Sequence, residues 1–377
     1  MHPKFKNIMN PIVTIGDKIR LGFDTDVYEI EDYDGTVHNF IDLLNGNNNI
    51  DELVVKSGFS QNEVIAALEA LNSIGAIEDS DADLKGLTPS ELSRYRANLT
   101  FFSNFSTLED GKYDYQSKLK NSKVVVLGLG GASLTATSLV GLGIGELVGV
   151  DFDIIELSNL NRQFLYTEDN IGELKSVETA KRLQQINKDI KISVSNLKVT
   201  SASDILNLIE GSSLVINGID SPGIIASRWV NAACVYHKIP IIQGGISNTK
   251  IIWETIHPGC GCYDCFLIKS LRTDPYFKYQ LNALYNTRYE ETNSAIAPHV
   301  SLLSGFLSSE AVKLLTEYTQ TMPPSTTYVY DTNTMNINKS ETWSKLDECP
   351  TCSQSNNCIE PVDLDKLLSI AYNEVHI

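Results

Sequence analysis

Beyond Asn121 the chain alternates short apolar runs with longer segments of helical periodicity. KVVVLG, from Lys123 to Gly128, holds the continuous apolar run Val124–Leu127, as a strand covered on both faces must. IGELVGVD, IKISVSNL, SLVINGID and IPIIQGGI repeat the signal. Between them lie ASLTATSLVGLG, LKSVETAKRLQQIN, ASDILNLIEG and GIIASRWVNAACVYHK, which read as helices. Strands alternating with helices predict an α/β fold built on a doubly wound, mostly parallel sheet.

The first 80 residues follow a different pattern. IVTIGDKIRLGF and DVYEIED read as two strands rich in β-branched and aromatic residues. Val37, Phe40, Ile41 and Leu44 then fall at helical spacing, and Gly46 stops the helix. NIDELVVKSG predicts a second short helix. Ser60 with Glu63 forms a capping-box start for a third, whose Val64, Leu68 and Leu71 share a face. Strands followed by three short helices suggest a small winged-helix-like α+β domain over residues 1–80. It lacks the basic helix of a DNA reader. Residues 81–118 read as a polar linker with a helix start at Thr88-Pro89-Ser90-Glu91, residues 119–355 as the α/β domain, and residues 356–377 as a tail.

Composition narrows the classes. A formal charge of −17 argues against general nucleic-acid binding, which needs basic surface. No long uncharged apolar run predicts a membrane span, and the start lacks the apolar centre of a signal peptide, so the cytoplasm is the expected compartment. Seven cysteines in 377 residues do not make a disulfide scaffold. Four of them form two C-x-x-C pairs, Cys262/Cys265 and Cys349/Cys352, which match a closed, tetrahedral, structural zinc site. Cys234 reads as a core residue, Cys260 as a zinc-site neighbour or structural residue, and Cys358 as part of the tail. His237 and His257 read as ordinary surface or core residues, and His299 lies towards the expected substrate side.

Gly128, Gly130 and Gly131 stand where a strand turns into a helix, an arrangement that brings backbone N–H groups up to a phosphate. Ser133 takes the place of the last glycine of G-x-G-x-x-G, and the loop alone fits a redox dinucleotide fold equally well. Asp151 closes the next strand, where a carboxylate can bond ribose hydroxyls. Asn161, Arg162, Gln163 and Lys175 follow. Arg and Lys together beside a ribose site suit an enzyme that displaces phosphate from a triphosphate. Asp220, after a later strand, stands at the ligand edge of the sheet, where a carboxylate can hold Mg²⁺.

The stretches GLGGAS, VDFDIIELSNLNRQFL, IGELKSVETAK, INGIDSP, GCYDC and CPTC, roughly residues 92–353, resemble the ThiF/MoeB/HesA superfamily, which includes the adenylating domains of ubiquitin-activating enzymes. The resemblance implies a Rossmann-like sheet and ATP-dependent adenylation of a carboxylate with release of pyrophosphate. It implies that Gly128, Gly130 and Gly131 shape the nucleotide loop, and that Asp151 holds ribose with Asp153 nearby. Asn161, Arg162, Gln163 and Lys175 would surround the phosphates. Asp220 would bind Mg²⁺ and act in catalysis, together with Arg162 and Lys175. It also implies the split zinc site and a homodimer. Relatives carry R-Y-x-R before the domain, with the second arginine reaching the partner's triphosphate. Here the stretch is Arg94-Tyr95-Arg96-Ala97, so either Arg96 serves one place early or that contact is missing.

Residues 1–80 resemble leader-peptide recognition domains, which take up a leader as an added strand. The whole architecture is similar to superfamily members that mature ribosomally made peptides, the kinds serving microcin C and pantocin A. That implies a leader-bearing precursor peptide as partner, activated for ring formation in antibiotic biosynthesis in the pantocin manner. The alternatives are microcin-type retention of the nucleotide, activation of a sulfur-carrier or ubiquitin-like protein, and a non-catalytic leader-binding scaffold. The equivalent of residues 266–298 in relatives is a loop or crossover beside the substrate. There Arg272, Lys278 and Arg288 are either contacts for an acidic peptide or solvated surface charges.

Overall fold

The computed structural model describes residues 1–23, 27–286, 294–353 and 359–372. Cys358 and Arg288 lie outside the described residues. The chain forms two compact units, Met1–Lys118 and Leu119–Ile377.

In the first unit β1 (Pro3–Phe5) pairs with β5 (Ile77–Asp79), and β2 (Ile12–Ile15), β3 (Lys18–Leu21) and β4 (Tyr28–Glu31) form an antiparallel sheet in that order. The stretch read as one strand, Ile12 to Phe23, is therefore a hairpin. It turns at Gly16, whose φ of +60° costs an L residue strain. The helices are α1 (Thr36–Leu43), α2 (Ile50–Ser57) and α3 (Gln61–Ser73). The Ser60/Glu63 capping box forms as expected, and Asn49 with Glu52 makes a second one on α2. Ile19, Leu21, Phe40, Leu53, Val64 and Ile77 anchor the core. Helices α4 (Pro89–Arg94) and α5 (Arg96–Ser103) follow, and α6 (Lys112–Lys120) runs across the boundary. Lys6 is buried in this unit, its ammonium bonded to the carbonyls of Ser103 (2.9 Å) and Ser106 (2.6 Å).

The second unit is the α/β layer structure. Its strands are β6 (Lys123–Leu127), β7 (Glu146–Val150), β8 (Lys191–Ser195), β9 (Leu214–Asn217), β10 (Ile241–Ser247), β11 (Lys250–Ile256), β12 (Thr326–Asp331) and β13 (Asn336–Thr342). They form one sheet in the order β13-β12-β11-β10-β9-β6-β7-β8. The block β10-β9-β6-β7-β8 is parallel and the block β10-β11-β12-β13 antiparallel. Helices α7 (Ser133–Leu142), α8 (Lys175–Ile186), α9 (Ser203–Ile209), α10 (Gly223–His237), α11 (Tyr263–Thr273), α12 (Phe277–Asn286), α13 (Ala297–Thr316) and α14 (Leu364–Tyr372) complete it. The chain leaves β6 towards β7 on one side and returns to β9 on the other. That reversal opens a crevice beyond the carboxyl ends of β6 and β9, the place where open α/β sheets take ligands.

Candidate active site

The loop after β6 enters this crevice. Gly128 has φ +82°, and a Cβ there would lie 2.5 Å from the carbonyl oxygen of Gly218, at the end of β9. Glycine thus lets two strand ends meet. A Cβ on Gly130 would lie 3.0 Å from Gln163 Nε2, whereas one on Gly131 meets nothing within 4 Å. Gly131 therefore faces open space at the start of α7, whose first turn has no side-chain cap. The Ser133 N–H reaches the Gly130 carbonyl at 3.3 Å, and the N–H groups that follow it in the first turn suit an anion. Ser133 is fully buried and its hydroxyl donates to the Gly130 carbonyl at 2.8 Å, which is how serine serves where a third glycine is usual.

Two side chains hold the loop through Leu129. Asp151 Oδ2 accepts its N–H at 2.7 Å, and the Tyr166 hydroxyl donates to its carbonyl at 2.8 Å while meeting Thr179 Oγ1 at 2.8 Å. Asp151 Oδ1 accepts the Asp153 N–H at 2.8 Å. Burial raises the Asp151 carboxyl above the usual carboxylate range, opposed by these N–H bonds and by the Lys175 charge. Lys175 begins α8 with its side chain 8% exposed and its ammonium 3.0 Å from Asp153 Oδ2. Gln163 is buried, and among the described residues its Oε1 has no hydrogen-bond partner. An orphaned amide oxygen, a buried ammonium and uncapped helical N–H groups are a donor and acceptor set that suits a nucleotide.

The predicted residues thus gather in part. Gly128, Gly130, Gly131, Asp151, Asp153, Gln163 and Lys175 form one connected group. Arg162 donates instead to Asn161 Oδ1 (2.8 Å) and the Ser158 carbonyl (3.0 Å), on the rim. Asp220 is exposed, three residues past β9 in the turn that packs on Gly128. A single exposed carboxylate at this edge fits Mg²⁺, which keeps most of its waters. Arg96 and Ala97 are exposed at the start of α5 in the first unit.

The four paired cysteines come together. Sγ–Sγ separations are 3.5 Å for Cys262–Cys349, 3.9 Å for Cys262–Cys265 and 3.4 Å for Cys265–Cys352, and all four sulfurs lie within 4.8 Å of one another. Four thiolates about 2.3 Å from one zinc ion would stand about 3.8 Å apart, so the donor set fits zinc. The residues inside the two pairs also bond. Thr351 Oγ1 donates to Asp264 Oδ2 at 2.6 Å, and Arg228 on α10 donates to both Asp264 oxygens, at 2.8 and 3.3 Å. The same guanidinium reaches Tyr285 Oη (2.9 Å) and the Val362 carbonyl (2.7 Å). Burial opposes its charge, but Asp264 and Tyr285 more than offset this and its pKa is raised.

Several candidates prove to be structural. Arg272 donates to Glu348 and to the carbonyls of Ala371 and Ile370, securing the end of α14, so it is not a free contact for peptide. Lys278 lies over the rings of Tyr279 and Tyr372. Cys234 is fully buried in the core and burial raises its thiol pKa. Burial lowers the pKa of His257, against the nearby Glu310. Sequence reasoning misses Tyr166, Thr179, Arg228 and Asp264; the one signal is an arginine inside the mostly apolar α10.

A family model described as "ThiF family" matches residues 95–351. Over 239 residues the chain is 28% identical to the molybdopterin-synthase adenylyltransferase of Salmonella typhimurium, covering 62% of this chain and 86% of the relative. Over 268 residues it is 28% identical to the sulfur carrier protein ThiS adenylyltransferase of Escherichia coli, covering 68% and 95%. The fold matches crystallographic E. coli MccB, solved with AMPCPP and MccA, at a TM-score of 0.74 and 21% identity, covering 94% of this chain and all of that one. A second structure, of the microcin C7 biosynthetic enzyme MccB in complex with N-formylated MccA, matches at the same TM-score of 0.74 and 21% identity, covering 94% of this chain and all of that one. Among the described residues no helix is long and apolar enough to cross a membrane.

Proposed function

Because the chain belongs to the ThiF family, and so is an ATP-dependent adenylyltransferase, we propose that its substrate is a ribosomally made precursor peptide whose leader binds the first unit. The observation that carries this is one of coverage. The ThiS adenylyltransferase is matched over 95% of its own length yet accounts for 68% of this chain, whereas MccB corresponds to 94% of it. The additional unit supports a role that sulfur-carrier activation does not require. Its outer strand β2 leaves Val13 and Ile15 exposed at a sheet edge, which suits a leader added as a further strand. Tethering the leader raises the local concentration of the core peptide at the ATP site.

In this reading the nucleotide loop and the N-terminus of α7 bind the phosphates, and Asp151 orients the ribose. An oxygen of a core carboxylate, or of an amide, attacks the α-phosphorus as the bond to pyrophosphate breaks. Lys175, Arg162 and the loop N–H groups stabilise the charge that collects on the phosphates. Asn161 contributes at the rim of the site, and Gln163, buried against Gly130, from within it. Asp220 would hold Mg²⁺, which neutralises phosphate charge when bound. Zn²⁺ held by the four cysteines would have no open position and would serve the fold alone. If the chain forms the homodimer that the family resemblance implies, either a second copy's Arg96 serves the triphosphate one place early or that contact is missing.

Two fates of the adenylate remain. The resemblance of residues 1–80 to the leader-recognition domains of cyclodehydratase partners favours ring closure, in which an internal nucleophile attacks the activated carbonyl and AMP leaves. The full-length correspondence to MccB favours retention of the nucleotide on the peptide. Incubation with ATP, Mg²⁺ and the small peptide encoded beside the gene, followed by mass spectrometry, separates them. Added adenylyl mass means retention, and loss of water with AMP released means ring closure. An unchanged peptide, with adenylation of a Gly-Gly-terminated carrier protein, refutes the proposal in favour of sulfur-carrier activation. Asp220→Ala should abolish turnover in either case while leader binding survives.

A further inference from the structure

One row of the sheet is polar where its neighbour is apolar. Val215, Ile241 and Ile256 pair across β9, β10 and β11 and belong to the core beneath α10 and α11. Two residues nearer the ligand edge on β9 and β10, the row reads Asn217, Gln243, Glu254 and, on β12, Thr327. The side chains bond in series. Asn217 Nδ2 donates to Gln243 Oε1 at 2.8 Å, Gln243 Nε2 to Glu254 Oε1 at 2.6 Å, and Thr327 Oγ1 to Glu254 Oε2 at 2.8 Å. Asn217, Gln243 and Glu254 are 4%, 8% and 8% exposed. A buried network of this kind stabilises a fold little more than well-packed apolar residues would, so stability alone does not account for it.

The row ends at the active site. Asn217 is the last residue of β9, and its Oδ1 accepts the N–H of Ile219 at 3.2 Å, one residue before Asp220. Between them Gly218 packs on Gly128 of the nucleotide loop. The order of donors is directional. Glu254 receives the NH₂ of Gln243, which turns the Gln243 carbonyl to Asn217. The Asn217 NH₂ is thereby committed, and its oxygen is left for Ile219. Reversing any amide would set N–H against N–H in a buried site.

We infer that Gln243 and Glu254 are positioning residues, which act through Asn217 to hold the Asp220 turn against the nucleotide loop. The inference rests on the reading of Asp220 as the magnesium-holding carboxylate. Its consequence is that the magnesium-dependent part of ATP affinity depends on residues that touch neither ligand.

The test is calorimetric titration of ATP into the full chain with and without Mg²⁺, with the melting temperature measured alongside. Gln243→Leu and Glu254→Leu should reduce the tightening by Mg²⁺ about tenfold, as Asp220→Ala should, with magnesium-free affinity within about twofold of wild type. Glu254→Gln, which keeps an acceptor for Gln243, should preserve the tightening. Leucine variants that melt lower but keep it would show a purely structural row and overturn the inference. If neither leucine variant folds, Thr327→Val decides: a two- to threefold loss supports the inference, and no loss overturns it. A wild-type protein whose ATP affinity ignores Mg²⁺ would refute the role of Asp220 itself, and the inference with it. The inference alone fails when wild type responds and every row variant responds equally.

Discussion

Gly128 and Gly131 lie three residues apart in one loop, and alanine should act oppositely at the two. At Gly128 an L residue is held at φ +82°, which costs about 1–2 kcal/mol. Its Cβ would stand 2.5 Å from the Gly218 carbonyl oxygen, a backbone atom that cannot swing aside. Overpacking of that kind adds about 1–3 kcal/mol. Gly128→Ala should therefore lose about 2–5 kcal/mol, a large share of the stability of an ordinary domain. At Gly131 the added methyl meets no atom within 4 Å. Stability should stay within about 0.5 kcal/mol, or rise slightly through reduced freedom of the unfolded chain. The methyl does, however, occupy the space a phosphate needs to approach the start of α7. ATP affinity should fall at least about tenfold, roughly 1.4 kcal/mol. Urea unfolding and ATP titration on both variants give the two readouts. Wild-type ATP affinity in Gly131→Ala would refute the placement of the phosphates, and wild-type stability in Gly128→Ala would refute the steric argument.

Three further outcomes are expected. Elemental analysis should find one zinc per chain, and Cys349→Ser should lose it together with several kcal/mol of unfolding free energy, since metal binding of this kind is coupled to folding. Tyr166→Phe, which frees the Leu129 carbonyl, should weaken ATP binding about threefold to tenfold, or about 0.5–1.5 kcal/mol, without measurable change in secondary structure by circular dichroism. In the first unit burial, the chief cause, lowers the Lys6 pKa to about 8 from 10.5, with Glu78 opposing and Lys112 adding to the shift. Between those pH values the unfolded chain binds the extra proton, so stability should rise with pH across that window. Lys6→Met should flatten the rise in denaturant titrations.

The parallel half of the sheet was legible because strands buried on both faces must be continuously apolar, as Val124–Leu127 and Leu214–Asn217 nearly are. The antiparallel half was not. Every residue of β13 is exposed, so no apolar pattern marks it. The hairpin of Ile12–Leu21 read as one strand because Val13 and Ile15 are apolar yet face outward. At the site, the glycine loop, the lysine at the head of α8 and the cysteine pairs carry local signals. Tyr166 with Leu129 and the row from Asn217 to Thr327 carry none, and the arginine at 228, set in a mostly apolar helix, does not point to Asp264. Their partners are set by which strands become neighbours, and spacing along the chain does not encode that.

The cross-brace at Arg228 bears on how the protein is made. Its guanidinium is enclosed in the core, yet the acceptor at Val362 follows it by 134 residues, and the sulfurs of Cys349 and Cys352 each follow their partners by 87. During synthesis from the amino end, α10 and the first cysteine pair leave the ribosome long before the segment that completes them. Until then a cation and two thiols face an unfinished interior. The second unit must therefore wait for its carboxyl-terminal stretch before it can close, and a message truncated before Cys349 should yield protein destined for degradation.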